Sequence, residues 1–123
     1  MNANTILTTN FKYGEFWCLG VEPPEAYFEN IKAVAVELQK VRTILGKSIT
    51  ITSGWRSLQH NTNIGGAKAS QHLTGKGCDS RCNGINAYEY LTYLTRYTNF
   101  QGFGIANNFV HTDTRDKFTV WVY

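Results

Sequence analysis

Proline is nearly missing from this chain, with two in 123 residues, adjacent at Pro23 and Pro24. No linker, repeat or low-complexity tract interrupts the rest, so one domain is expected over 1–123. That length buries a core without help from metal or disulfides. Cysteine is also sparse. Cys18, Cys78 and Cys82 cannot all pair, which excludes the even, regularly spaced framework of a disulfide-stapled secreted mini-protein and fits synthesis in a reducing compartment. The simplest reading of the three thiols is buried small hydrophobes.

Two further absences bound the function. No stretch approaches the roughly 18 apolar residues of a membrane span, and MNANTILTTNFKYGEF lacks a basic start followed by an apolar run. The expectation is a protein made in the cytoplasm without a signal peptide and not inserted in a membrane. Nor is there a basic block. The net charge is +3, with Lys and Arg spread from Lys12 to Lys117, so nucleic-acid binding is not indicated. A mildly basic surface does suit a polyanionic target such as a cell wall carrying acidic polymers. A monomer is the default.

What is present is a clear sequence of elements. From the proline pair, apolar residues recur at Tyr27, Ile31, Val34, Leu38, Val41 and Leu45 until Gly46, which predicts an amphipathic helix. Ile49 and Ile51 then alternate with Thr50 and Thr52, the period of a half-buried strand ending at Gly54. Leu58 to Ala69 reads as a short helix or turn followed by a glycine-rich loop. Gly75 to Cys82 reads as extended, with Asp79 and Arg81 on one side and Cys78, Ser80 and Cys82 on the other. Ala87 to Tyr97 predicts a second helix covering the sheet. The remainder reads as strands, with TRDK joining FVHTD to FTVWVY in a terminal antiparallel hairpin. The sum is an α+β domain, helices packed on a small antiparallel sheet.

The chemistry concentrates in SQHLTGKGCD at 70–79 and VHTD at 110–113. His72, Asp79 and His111 offer two imidazoles and one carboxylate. Zinc takes four tetrahedral positions, and three protein ligands leave one open, the arrangement of catalytic rather than structural sites. Strand period puts Phe109, His111 and Asp113 on one face. Asp113 has three open roles: orienting or deprotonating a water at the metal, or hydrogen-bonding the idle nitrogen of a ligand histidine. A base or water-orienting role ranks first. Arg56, just past a strand end, is the candidate cation for an oxyanion or a substrate carboxylate. His60 reads as ordinary. Trp17, Trp55 and Trp121 read as core or rim aromatics, with Trp55 able to line the cleft beside Arg56.

These residues resemble the zinc D-alanyl-D-alanine carboxypeptidases and related peptidoglycan endopeptidases, whose fold is shared with the amino-terminal signalling domain of hedgehog proteins. SGWRSLQHN is similar to the family's Ser-Gly-aromatic-Arg-Ser segment, and GGAKASQHLTGKGCD to its Ser-x-His-x-x-Gly-x-x-x-Asp zinc segment. FVHTDTR is similar to its second-histidine strand, and NFKYGEF to its start. The resemblance implies Zn2+ held by His72, Asp79 and His111, Arg56 as the transition-state or carboxylate-binding cation, and Ser70 as a substrate contact. It implies a peptidase acting on peptidoglycan stem peptides, as carboxypeptidase or endopeptidase. A phage lysin or virion-borne lytic domain would reach the wall after release or within the particle.

One departure stands out. Many family members carry a catalytic Glu or Asp three residues before the second histidine, where this chain has Asn108. Either Asp113 takes that role, or the chain is a zinc-binding structural or virion assembly domain without peptidase activity. A nuclease built around His60-Asn61 is the remaining alternative, with no basic run to support it.

Overall fold

The computed structural model describes residues 1–123. A short hairpin, β1 (Ile6–Thr8) with β2 (Phe11–Lys12), leads through two 3-10 turns to α1 (Phe28–Leu45), β3 (Ile49–Ser53), α2 (Leu58–Asn63), β4 (Gly77–Cys82), α3 (Ala87–Tyr97), β5 (Gly102–Ile105), β6 (Val110–Asp113) and β7 (Thr119–Val122). The helix expected after the proline pair forms. Its first turn, Glu25–Tyr27, is 3-10, with Pro24 at the N-cap, and its end is Gly46 at φ 63°. One face buries Ile31, Val34, Ala35, Leu38 and Val41, the Ile, Val and Leu side chains each contributing about 1.5–3 kcal/mol.

The main sheet has the order β3-β4-β6-β5-β7. Its three inner pairings are antiparallel, as predicted, but β7 lies parallel to β5 at the edge. The expected terminal hairpin is therefore corrected. β6 has both edges occupied, by β4 and β5, so FTVWVY cannot pair with FVHTD. It crosses the start of β5 and takes the free outer edge, where Gly102 faces both Asp113 and Thr119 in register. The hairpin that forms is β5–β6.

Register divides the sheet into two chemically distinct faces. Cys78, Ser80, Val110, Thr112 and Phe103 are buried beneath the helices. Ser80 Oγ and Tyr90 Oη share a hydrogen bond of 2.8 Å that ties β4 to α3. Cys78, fully buried, sits 3.7 Å from Thr112 Oγ1, and burial pushes its thiol up to about 12. All three cysteines are free and buried. The opposite face carries Asp79, His111 and Asp113, where the segment between β3 and β4 closes over them. No helix is long and apolar enough to cross a membrane.

Candidate metal centre

Asp79 on β4 and His111 on β6 are direct cross-strand partners. His72 arrives from outside the sheet. It sits in a 3-10 turn, Gln71–Thr74, whose N-cap Ser70 accepts a hydrogen bond from the His72 backbone amide at 3.2 Å. The Arg56 amide donates to the His72 carbonyl at 3.0 Å, and the Trp55 indole donates to Leu73 at 3.2 Å. Trp55 is thus a buried brace for this turn instead of a cleft wall.

Three atoms converge. His111 Nδ1 lies 3.0 Å from Asp79 Oδ1 and 3.2 Å from His72 Nε2, and His72 Nε2 lies 3.3 Å from Asp79 Oδ1. Ligand atoms bound about 2.0–2.1 Å from a shared tetrahedral zinc stand about 3.4 Å apart, so the set fits that ion after a small outward relaxation. The second nitrogen of each ring decides the fit. His72 Nδ1 lies 2.7 Å from the Gly54 carbonyl, which can only accept, and His111 Nε2 lies 2.7 Å from Asp113 Oδ2. Both rings therefore carry their proton on the outer nitrogen and point a lone pair at the shared centre.

Asp113 does not stand where a base would. It is wholly buried behind His111. Its Oδ1 accepts from the Arg115 amide and Nε at 3.1 and 2.8 Å, and its Oδ2 accepts from Arg115 Nη2 and His111 Nε2, each at 2.7 Å. Of the three roles open in the sequence, the geometry serves the third, orienting a ligand histidine. Burial works to raise this carboxyl, but hydrogen bonds from Arg115 and His111 outweigh it and hold the group below the usual carboxylate range. Asp79 behaves likewise: burial opposes ionisation, and His111 and His72 override it. For His111, burial disfavours the charged ring, while Asp113 and Asp79 raise its pKa above the ordinary value.

Arg56 lines the same cavity, about 500 Å³ in volume. It is engaged by protein partners: Nη2 reaches Asp79 Oδ2 at 3.1 Å, Nε reaches Ser53 Oγ at 3.0 Å, and Nη1 reaches Asn61 Oδ1 at 3.3 Å. Ser70 also lines the cavity, beside its capping bond. Asn61 is buried and staples the loop through Ala67. His60 lies outside the donor cluster, and no nuclease-like pair forms around it.

Asn108 faces elsewhere. It sits in the exposed turn between β5 and β6 and lines a separate cavity of about 320 Å³ beside Tyr90 and the start of α3.

Glycines make the room. Gly77 and Gly102 flank Asp113 on both neighbouring strands, and Gly104 separates His111 from Trp121. A Cβ at Gly102 would collide with the Asp113 carboxylate, and one at Gly104 with the Trp121 indole. The Trp121 ring centre thereby comes within 5.2 Å of that of His111. Arg115, Trp121 and Tyr123 complete the cavity wall and were not singled out as site residues from the sequence. The signal was the same period of two: 111, 113, 115 and 119, 121, 123.

Residues 9–113 match the family model described as Peptidase M15. The chain belongs to the peptidase M15 family. Among curated proteins it is similar to the zinc D-Ala-D-Ala carboxypeptidase of Streptomyces albus G, 34% identical over 77 residues, covering 57% of this chain and 30% of the relative. The M15 chain thus spans less than a third of that relative's length. The match encloses Arg56, Ser70, His72, Asp79, His111 and Asp113, and ends before Arg115 and β7.

Proposed function

We propose that this M15 chain is a zinc-dependent peptidase that hydrolyses an amide bond in peptidoglycan stem peptides or cross-links, as carboxypeptidase or endopeptidase. The observation that carries the reading is the convergence of His72 Nε2, Asp79 Oδ1 and His111 Nδ1, with both outer ring nitrogens already committed. Family membership and the relative's name support the substrate class. The chemistry that bound zinc supplies is Lewis acidity toward a carbonyl and acidification of a water molecule.

The chain's own residues do the rest. His72, Asp79 and His111 hold the ion; Gly54 and Asp113 fix the imidazole tautomers; Arg56 fixes the direction of Asp79 through its second carboxylate oxygen. Ser70 lines the cavity that the peptide would enter. The setting we propose is phage-borne wall lysis, by a free lysin or a particle component, and this part rests on the wall substrate alone.

Mass spectrometry of fragments released from purified sacculi tests both activity and bond choice. New amino and carboxyl termini at one stem-peptide bond are expected, abolished by chelator and by His72→Ala. Intact sacculi after prolonged digestion by fully zinc-loaded protein would instead favour an assembly domain.

A further inference from the structure

The cavity is lined by a second guanidinium, that of Arg115, which keeps one edge free of protein partners. Arg115 grips Asp113 side-on through Nε and Nη2 at 2.8 and 2.7 Å. That uses one edge of the planar fork and leaves the Nη1/Nη2 edge without a protein partner. The guanidinium carbon lies 5.0 Å from the Trp121 ring centre, so a carboxylate and an aromatic ring together fix its orientation. Its side chain is 28% exposed on the cavity wall, against 14% for Arg56, whose three nitrogens all have protein partners. Asp79 is the sole acidic side chain lining the cavity, and Arg56 pairs with it. A ligand entering here meets one pre-oriented fork and no unpaired acidic side chain.

We propose that Arg115, held on Trp121, is the residue that binds a substrate carboxylate, and that Arg56 is a positioning residue for Asp79. The identity of the substrate rests on the peptidase reading; recognition of an anionic group does not. The ligand is a peptide carrying a carboxylate within reach of the metal. That carboxylate is either its carboxyl terminus, as in a carboxypeptidase substrate, or an internal α-carboxylate left free by a γ-linkage, as in an endopeptidase substrate.

Zinc-loaded wild type, Arg115→Gln, Arg115→Lys and Arg56→Gln are titrated calorimetrically with three probes. These are N-acetyl-D-alanyl-D-alanine, its C-terminal carboxamide, and a γ-D-glutamyl dipeptide amide whose carboxylate is internal. Wild type should bind one carboxylate probe roughly tenfold tighter than the carboxamide, and which one identifies the source. Arg115→Gln should bring the ratio to about one with zinc content unchanged, and Arg56→Gln should lower zinc content while keeping the ratio in the loaded fraction. If Arg115→Gln loses zinc, Arg115→Lys decides: it keeps the charge against Asp113 but loses the planar fork, so the preference must fall about threefold or more. Equal binding of acid and amide by wild type, no binding of either carboxylate probe, or a preference that survives in both Arg115 variants overturns the proposal. Hydrolysis of the same probes is read separately, and a carboxylate preference without turnover would keep this site and remove the peptidase.

Discussion

At His111 the two ring nitrogens have different jobs, and Asp113 assigns them. Its carboxylate, pinned by Arg115, accepts a hydrogen bond from Nε2–H and leaves Nδ1 turned to Asp79 and His72. Asp113→Asn should therefore weaken zinc binding about 10–100-fold, measured by competition with a chelator, while the far-UV circular dichroism spectrum is retained. The same contacts set a pH dependence. Without metal, His111 holds its proton above the ordinary value of 6.5, because Asp113 and Asp79 outweigh burial. Zinc must displace that proton, so apparent affinity should fall roughly tenfold per pH unit once the pH drops below this raised value. For the metal-free fold the signs oppose. The raised His111 contributes stability that is full below 6.5 and is lost as pH rises through its folded value. The lowered Asp79 and Asp113 contribute stability present above 3.8 and lost on further acidification. Thermal midpoints of the metal-free protein across pH should show the optimum of these groups between those two values.

Among the elements, β4 carries the division of labour. Asp79 faces the metal cavity while Cys78 and Ser80 face the helices, so one strand serves the donor cluster and the core together. The helix-facing side is held by the buried Ser80–Tyr90 hydroxyl pair. Tyr90→Phe leaves Ser80 buried without that partner and should cost about 1–3 kcal/mol in denaturant unfolding, with zinc content unchanged because the altered group lies on the opposite face. β7 plays the complementary part. As a parallel edge strand beside β5 it delivers Trp121 across Gly104 to His111 and gives Arg115 its aromatic support.

For the molecule as a whole, core and metal are separable. Nineteen buried residues form a continuous cluster from Leu7 to Val110 that includes neither metal-binding histidine. Chelation should thus lower the melting temperature without abolishing cooperative unfolding. Zinc at about 1,000 times its dissociation constant would add roughly 4 kcal/mol, seen as an upward shift on reloading. A chain that lost its fold on chelation, as small zinc modules do, would show that the metal is structural.

Composition and periodicity alone determined much of this protein. The α1 and α3 helices and the face assignment of Asp79 against Cys78 follow from local spacing, because helix and strand periods are local properties; His72, Asp79 and His111 are candidate donors by residue type and family resemblance. Strand pairing is not local. FTVWVY reads as a hairpin partner of FVHTD until β4 is seen to occupy that edge, and this competition for hydrogen-bonding edges placed β7 beside β5. The same three-dimensional crowding put Asp113 behind His111, turned Asn108 toward a different cavity, and left Arg115 rather than Arg56 with a free edge. A side chain's type is written in the sequence; the partners that occupy its donors and acceptors are decided only when distant strands meet.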